Sequence, residues 1–441
     1  MTTRSRTLSA TLVLTVLLAS AASALASLDD YVKKDDPTFA WELIKTESSP
    51  LGSATHIKLT SQTWQGITWV HHLQIYEPTQ VVHQNAALLF ITGGSNENLI
   101  RKDDAEMGFA LAKLCGARVC VLPQVPNQPL LGGKTEDTLI AETFIRYLET
   151  KDANWPLLFP MVKSAVKAMD AVQQWSHREG KPEPKQFIVT GASKRGWTTW
   201  LTGASDPRVA GIAPMVIDTL NMKAQTDHAL EVWGKYSEQI DDYTSRGLTK
   251  RFDDPEGKKL WQMVDPYSYR SRLSIPKFLI NGANDRYWTL DALNIYWDDL
   301  KTPKYVVYLP NAGHDLAVHR DYALNGIGAF FRSIISHRPF PNQTWTHSDS
   351  NPNTLRLAVT TSVTPKSARL WVITADSRDF RDSVWQDSPL TVVGNLATGE
   401  TPRPATGYIA LMGDLEYEFD GIPFHLSTQI RQTGVNPKAA K

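Results

Sequence analysis

Cysteine is almost missing from this chain: two residues in 441, Cys115 and Cys120. That excludes a disulfide-scaffolded fold, and with no CxxC spacing and no nearby histidine it gives no thiolate zinc site. An excess of one charge is missing too, since 46 Lys and Arg stand against 46 Asp and Glu. A nucleic-acid binder needs a basic footprint to neutralise phosphates, and scattered, balanced charge does not supply one. Internal repeats and low-complexity tracts are absent. What is present is apolar: 42% hydrophobic residues and 14 tryptophans, enough for a sizeable core and too much for whole-chain disorder. The length predicts two or three domains.

The first 26 residues read as a secretory signal peptide. Arg4 and Arg6 are their only charges, Leu8 to Leu18 is apolar, and Ala22, Ala24 and Ala26 supply small residues at cleavage-site spacing. The apolar stretch is well short of the ~20 residues of a spanning helix, and no stop-transfer pattern follows, so no stable membrane span is expected. The protein is therefore expected in the periplasm or outside the cell, with a faintly acidic mature chain. Export permits oxidation of the cysteines. Leu114-Cys115-Gly116 reads as a helix end and Val119-Cys120-Val121 as a buried strand, which leaves two buried thiols and a bridge as equal readings. Asn342-Gln343-Thr344 is a formal glycosylation sequon.

Along the chain, residues 28 to 85 are β-rich, with strands expected over Phe39 to Lys45, His56 to Leu59 and Ile67 to Tyr76. Short, continuously apolar strands then alternate with helical stretches. The strands are Ala86 to Thr92, Arg118 to Leu122, Gln186 to Thr190, Ala210 to Ile217, Lys277 to Asn281 and Tyr305 to Leu309. The helices are Asp104 to Leu114, Asp137 to Leu148, Pro156 to Trp175 and Asp321 to Ser336. This alternation is the pattern of a parallel α/β sheet. Residues 222 to 263 interrupt it with helical, aromatic sequence and read as a cap. After Pro339 and Pro341, short strands at turn-rich spacing, Arg356 to Thr361, Ala368 to Thr374, Ser388 to Val393, Gly407 to Leu411 and Glu416 to Phe419, predict a small β-sandwich. The expected division is a leader over 1–26, an α/β body over 27–340, a β-domain over 345–431, and a flexible tail over 432–441.

The stretch Phe187-Ile-Val-Thr-Gly191-Ala-Ser193-Lys-Arg-Gly196-Trp197 runs a buried strand through Gly-x-Ser into a helical pattern. It looks like a nucleophile elbow, where a sharp strand-to-helix turn exposes a serine Oγ and aims helix N-terminal N–H groups at a developing oxyanion. Arg195 stands where the second glycine of the strict G-x-S-x-G pattern belongs, and the glycine comes one residue later. A plain helix cap is the competing reading. Two later strand ends favour the elbow. Phe278-Leu-Ile-Asn-Gly-Ala-Asn-Asp285 and Tyr305 through His314 each finish in a loop bearing a polar residue, so Ser193, Asp285 and His314 follow the chain order of an α/β-hydrolase. In that arrangement Ser193 is the nucleophile, His314 the general base and acid, and Asp285 the residue that orients the imidazole. Asp218, also at a strand end, is the rival acid. The backbone N–H groups of Lys194 and of Gly94, in the loop Thr92-Gly-Gly-Ser95, are the candidate oxyanion donors.

Trp155, Trp197, Trp200, Trp233, Trp261 and Trp288 fall in or near segments expected around such a site, with Trp197 and Trp288 nominated to touch substrate. No metal site is expected. His71 and His72 are strand neighbours that point to opposite faces, and His314 and His319, five apart, miss a shared helix face. Nothing in the residues asks for a cofactor.

Five segments carry a family resemblance: Leu28-Asp-Asp-Tyr-Val through Phe39-Ala-Trp41, Trp155-Pro-Leu-Leu-Phe-Pro-Met-Val162, Gly191-Ala-Ser-Lys-Arg-Gly-Trp197, Asn284-Asp-Arg-Tyr-Trp288 and Asn311-Ala-Gly-His314. Together they resemble the PhoPQ-activated pathogenicity-related (PqaA-like) proteins over nearly the whole mature chain. The resemblance implies a secreted protein with an α/β-hydrolase fold followed by a β-domain, in a family named for virulence regulation. It also implies that Arg195 after the serine is a family trait. The G-x-S-x-x-G spacing is similar to that of glucuronoyl esterases, which favours a carbohydrate or other small ester over a peptide as substrate. Two functions stand side by side: an exported serine hydrolase, an esterase before a peptidase, and a non-catalytic binding or signalling protein on the same scaffold.

Overall fold

The computed structural model describes residues 28–96 and 102–434. The leader therefore lies outside the described residues. The expected tail does so in part, because residues 432–434 close a strand.

A nine-stranded sheet forms the body, in the order β1-β2-β3-β5-β4-β6-β7-β8-β9. A short helix, α1 (residues 28–33), precedes it. Its first three strands, β1 (Ala40–Ser49), β2 (Gly52–Trp64) and β3 (Ile67–Pro78), are an antiparallel meander, and β3 pairs antiparallel with β5 (Arg118–Leu122). From β5 the sheet is parallel through β4 (Ala86–Ile91), β6 (Gln186–Ala192), β7 (Val209–Met215), β8 (Lys277–Gly282) and β9 (Lys304–Leu309). The parallel strands read as near-continuous apolar runs because helices cover both faces and neither side meets water. One face carries α3 (Glu136–Thr150), α4 (Leu158–Arg178) and α5 (Lys194–Ser205); the other carries α2 (Lys102–Cys115) and α9 (Arg320–Ile335). This strand order, with Ser193, Asp285 and His314 following β6, β8 and β9, is the α/β-hydrolase fold.

Between β7 and β8 the chain leaves the sheet for a cap. It contains α6 (Met222–Trp233), α7 (Asp241–Thr244), α8 (Pro255–Val264) and short 3-10 turns. Pro255 occupies the first turn of α8, and the Asp254 carboxylate caps it by accepting from Gly257 N at 2.8 Å.

Two antiparallel sheets follow. One holds β10 (Gln343–Ser348), β11 (Thr354–Thr361), β15 (Leu396–Pro402) and β14 (Thr391–Val393). The other holds β13 (Gln386–Pro389), β12 (Ser367–Ala375), β16 (Tyr408–Phe419) and β17 (Ile422–Ser427), with β18 (Arg431–Gly434) added on β16. Two separately expected strands, Gly407 to Leu411 and Glu416 to Phe419, are one long β16. This β-domain is not a detached bead. Trp371, Phe380, Trp385 and Ile430 are buried in the same apolar cluster as the α3–α5 face.

Cys115 ends α2 and Cys120 lies in β5; both are buried free thiols. Burial pushes both thiols well above their ordinary range, which makes them poor nucleophiles.

Candidate active site

Strand β6 delivers the chain to Ser193 at φ 58° and ψ −126°, a conformation that L-residues rarely adopt. The strain is imposed by packing. A Cβ on Gly191 would stand 2.9 Å from the Ile91 carbonyl oxygen and 2.8 Å from that of Arg195; one on Gly196 would stand 2.7 Å from the Met215 oxygen. All three neighbours are backbone and cannot yield, so both positions require glycine. The glycine that arrives one place late is thus the one that lets α5 start against β7. Arg195 occupies the displaced position without collision because Gly93 faces it: a Cβ there would be 2.5 Å from Arg195 Nη2.

The acid and the histidine meet as expected. Asp285, buried in the turn after β8, accepts the His314 Nδ1–H at Oδ2 over 2.7 Å, and its Oδ1 accepts the Tyr287 backbone N–H at 3.0 Å. That bond fixes the tautomer and leaves His314 Nε2 bare, buried and without a hydrogen-bond partner among the described residues. Tyr287 stacks on the imidazole, with ring centroids 4.1 Å apart, and Trp288 lies at 5.8 Å. Asp218, the rival, is engaged elsewhere. It sits fully buried after β7, bonded at 2.5 Å to the hydroxyls of both Tyr296 and Tyr308, and burial pushes its carboxyl up to about 6.

Lys194, first residue of α5, presents its backbone N–H at a helix N-terminus, where such groups lack intrahelical acceptors. The Thr92–Ser95 loop is tied down from the segment after β5: Gln124 N donates to Gly93 O at 2.8 Å and Gln128 Nε2 to Gly94 O at 3.2 Å. The side chains next to the elbow form a closed ion cluster that sequence reading did not find. Lys194 Nζ lies 2.9 Å from Glu136 and 3.0 Å from Asp137, and the Arg195 guanidinium grips Glu136 through two 2.7 Å bonds. Burial raises the Glu136 carboxyl, but the Arg195 and Lys194 charges outweigh it and hold it well below the carboxylate range. The only sequence signal was a pair of acids opening α3.

A cleft opens between elbow and cap, lined by Ser193, Lys194, Tyr287 and cap residues. Three of the six flagged tryptophans line it: Trp197, Trp261 and Trp288. The other three do not. Trp155 packs edge-on against Trp64 at 5.7 Å, Trp200 is fully buried, and Trp233 lies under the Arg381 guanidinium at 4.2 Å. His71 and His72 are also structural: His71 Nε2 contacts Ser61 Oγ, and His72 Nε2 contacts His56 Nδ1, each at 3.0 Å. His319 begins α9 and packs beside Tyr322. Among the described residues no cluster of ligands could hold a metal ion, and no helix is long and apolar enough to cross a membrane.

The loop between β12 and β13, residues 376–385, runs over the acid and histidine turns. Asn284 Nδ2 donates to Ser383 O at 2.8 Å, Trp385 N to Asn311 Oδ1 at 2.8 Å, and Asn311 Nδ2 to Trp385 O at 3.1 Å. The same strap reaches the cap through Arg378–Glu231 at 2.8 Å and Arg381–Glu238 at 3.1 Å.

Fold and site geometry together define an α/β-hydrolase with an elbow serine and an aspartate-held histidine. Within that class, the chain belongs to the PhoPQ-activated pathogenicity-related protein family, whose profile matches residues 28–381. It is 32% identical to autocrine proliferation repressor protein A of Dictyostelium discoideum, over 92% of this chain and 89% of that protein. Among solved structures it is similar to acetyl xylan esterase 1 from Thermoanaerobacterium, with 19% identity, a TM-score of 0.48, and 69% of this chain and 92% of that one covered. A glucuronoyl esterase from Solibacter usitatus is also similar, with 12% identity, a TM-score of 0.43, and 70% and 91% covered.

Proposed function

We propose that this protein is an exported serine hydrolase acting on carboxylic esters. The observation that carries the reading is the Asp285–His314 bond, which leaves Nε2 unpartnered, while Tyr287, stacked on the imidazole, lines the same cleft as a serine held in a strained turn. In the reaction, Ser193 Oγ attacks the ester carbonyl as His314 Nε2 takes its proton. The carbonyl oxygen becomes an oxyanion facing the N–H groups of Lys194 and Gly94. Collapse breaks the C–O bond, the departing alkoxide receives the proton from His314, and an acyl-Ser193 ester remains. Water, deprotonated by the same imidazole, then releases the acid and restores the hydroxyl. Asp285 stabilises the imidazolium formed in both halves. Among the described residues no hydrogen bond joins Ser193 Oγ to His314 Nε2, and such bonds commonly tighten only with substrate.

The test is fluorophosphonate labelling of the purified mature protein beside Ser193→Ala and His314→Ala. Labelling of wild type that both substitutions abolish is the expected result; a folded wild type that does not label would sink the reading. Asp285→Asn should keep the fold and lower turnover by about 10⁴. Export is tested by sequencing the secreted protein, whose first residue should be Ser27.

A second reading takes its support from the Dictyostelium relative, whose name describes a repressor of proliferation rather than an enzyme. On that reading the scaffold acts as a secreted ligand, and Ser193→Ala leaves its biological effect intact.

A further inference from the structure

An elbow followed by Lys194 and Arg195 invites the idea of an anionic substrate, with a cation waiting beside the nucleophile. The pairing of those two side chains points the other way. We propose that the cleft receives the uncharged, ring-bearing portion of the ester and discriminates against esters whose cleft-bound portion is anionic; this rests on the serine-hydrolase reading above.

The argument begins with charge. The charged residues lining the cleft are Asp137 and Lys194. Lys194 Nζ is shared between Glu136 Oε2 at 2.9 Å and Asp137 Oδ2 at 3.0 Å, and its side chain is only 8% exposed. Arg195 does not line the cleft, and its guanidinium is turned to other partners: both terminal nitrogens hold Glu136, and Nε donates to Val125 O at 2.5 Å. Asp137 takes a further bond from the Tyr243 hydroxyl at 2.9 Å. The cluster is thus two cations against two carboxylates, closed on itself. An incoming carboxylate would lose its hydration, find no unpaired cation, and stand near the Asp137 charge.

The remaining wall supplies the positive part of the argument. Phe252 and Trp261 stack at 4.6 Å, and with Trp197, Tyr243, Tyr287 and Trp288 they give the cleft an aromatic lining. Flat rings and the C–H faces of neutral sugars both lie well on such a surface. The polar atoms left over there are neutral: the indole Nε1 of Trp261 and Trp288 and the hydroxyls of Thr249 and Thr289 are buried without hydrogen-bond partners among the described residues.

The experiment uses the whole mature protein, after fluorophosphonate labelling has established the serine. Values of kcat/KM are compared within two matched pairs. One pair is 4-nitrophenyl benzoate and its 4-carboxybenzoate analogue; the other is acetylated methyl glucoside and acetylated methyl glucuronate. The neutral member should be favoured by about tenfold or more, the scale expected for an unpaired desolvated charge. Preference confined to the benzoate pair assigns an aromatic acyl group, and preference confined to the sugar pair assigns a neutral sugar. Asp137→Asn, which removes one counter-charge from Lys194, should narrow the preference several-fold. Equal or faster turnover of the carboxylated members overturns the inference while the hydrolase reading survives. Failure to label overturns both. Because the ratio is measured on wild type, a variant that does not fold leaves the decision unaffected.

Discussion

Around Ser193 the backbone is held from inside the sheet, by atoms of β4, β7 and α5 that press on Gly191 and Gly196. Around Asp285 and His314 it is held from outside, by a strap from the β-domain that reaches Asn284 and Asn311 nearly 100 and 74 residues away in sequence. One half of the site is rigid because there is no room for anything else. The other is held within the sheet as well, through Ala283 N to Leu309 O and Asn284 N to Ala312 O, each 2.9 Å, and has a second domain lying across it. The difference teaches that the β-domain is part of how the site is built, since it adds ties to the loops that carry the histidine and its acid.

The strongest way to break the inner half is Gly196→Ala. Its Cβ would meet a backbone oxygen at 2.7 Å, so the elbow must shift. We expect a stability loss of about 3 kcal/mol, the upper part of the usual overpacking range, and loss of fluorophosphonate labelling. A variant that melts and labels like wild type would show the elbow to be looser than its packing implies.

Asp218, on the border between the halves, is probed by pH. Its folded-state carboxyl is pushed up to about 6 from an ordinary 3.8, chiefly by burial. The fold therefore favours the protonated form. The stability this contributes is full below about pH 4 and is lost as pH rises through 6, a change of about 3 kcal/mol. Asp218→Asn should flatten that share in urea unfolding between pH 4 and 7, leaving the similar contribution of buried Asp265. An unchanged pH slope would remove Asp218 as its source.

The outer half is tested by Asn311→Ala, which deletes both bonds to Trp385 and should cost about 1–2 kcal/mol. If the strap positions His314, kcat falls about tenfold or more while KM stays within about twofold. Equal losses in both, or none in either, would make the strap an ordinary domain contact. Smallest of all is Arg378→Ala, which opens the Arg378–Glu231 pair at the cap. Glu231 is largely solvent-exposed, so thermal unfolding should be nearly unchanged.

Much of this architecture is legible in the chain. The apolar runs at Ala86, Gln186, Lys277 and Tyr305 became β4, β6, β8 and β9, because a strand covered on both faces has little choice of composition. Strands β10, β15 and β18 were missed because their half-exposed, mixed sequences carry no strong period and pairing with neighbours decides them; β17 was missed although Ile422, Phe424 and Leu426 alternate with polar residues, because Pro423 interrupts the run. The strap carries no helix or strand signal and is loop by local conformation. Tryptophan content likewise announced aromatic walls without saying which three of six would line the cleft.

Residue order alone determined that a serine turn, an aspartate and a histidine would each end a strand of one α/β sheet, because strand period and turn chemistry act over a few neighbouring residues. The sequence placed two carboxyls, Asp218 and Asp285, in equivalent-looking positions, and only the tertiary structure chose between them. It did so by placing one beside an imidazole and the other between two tyrosines from β9 and the turn before it. The same holds for Lys194 and Arg195, whose charges were visible but whose partners on α3 were not, since a Coulombic contact is set by distance through space and not by distance along the chain.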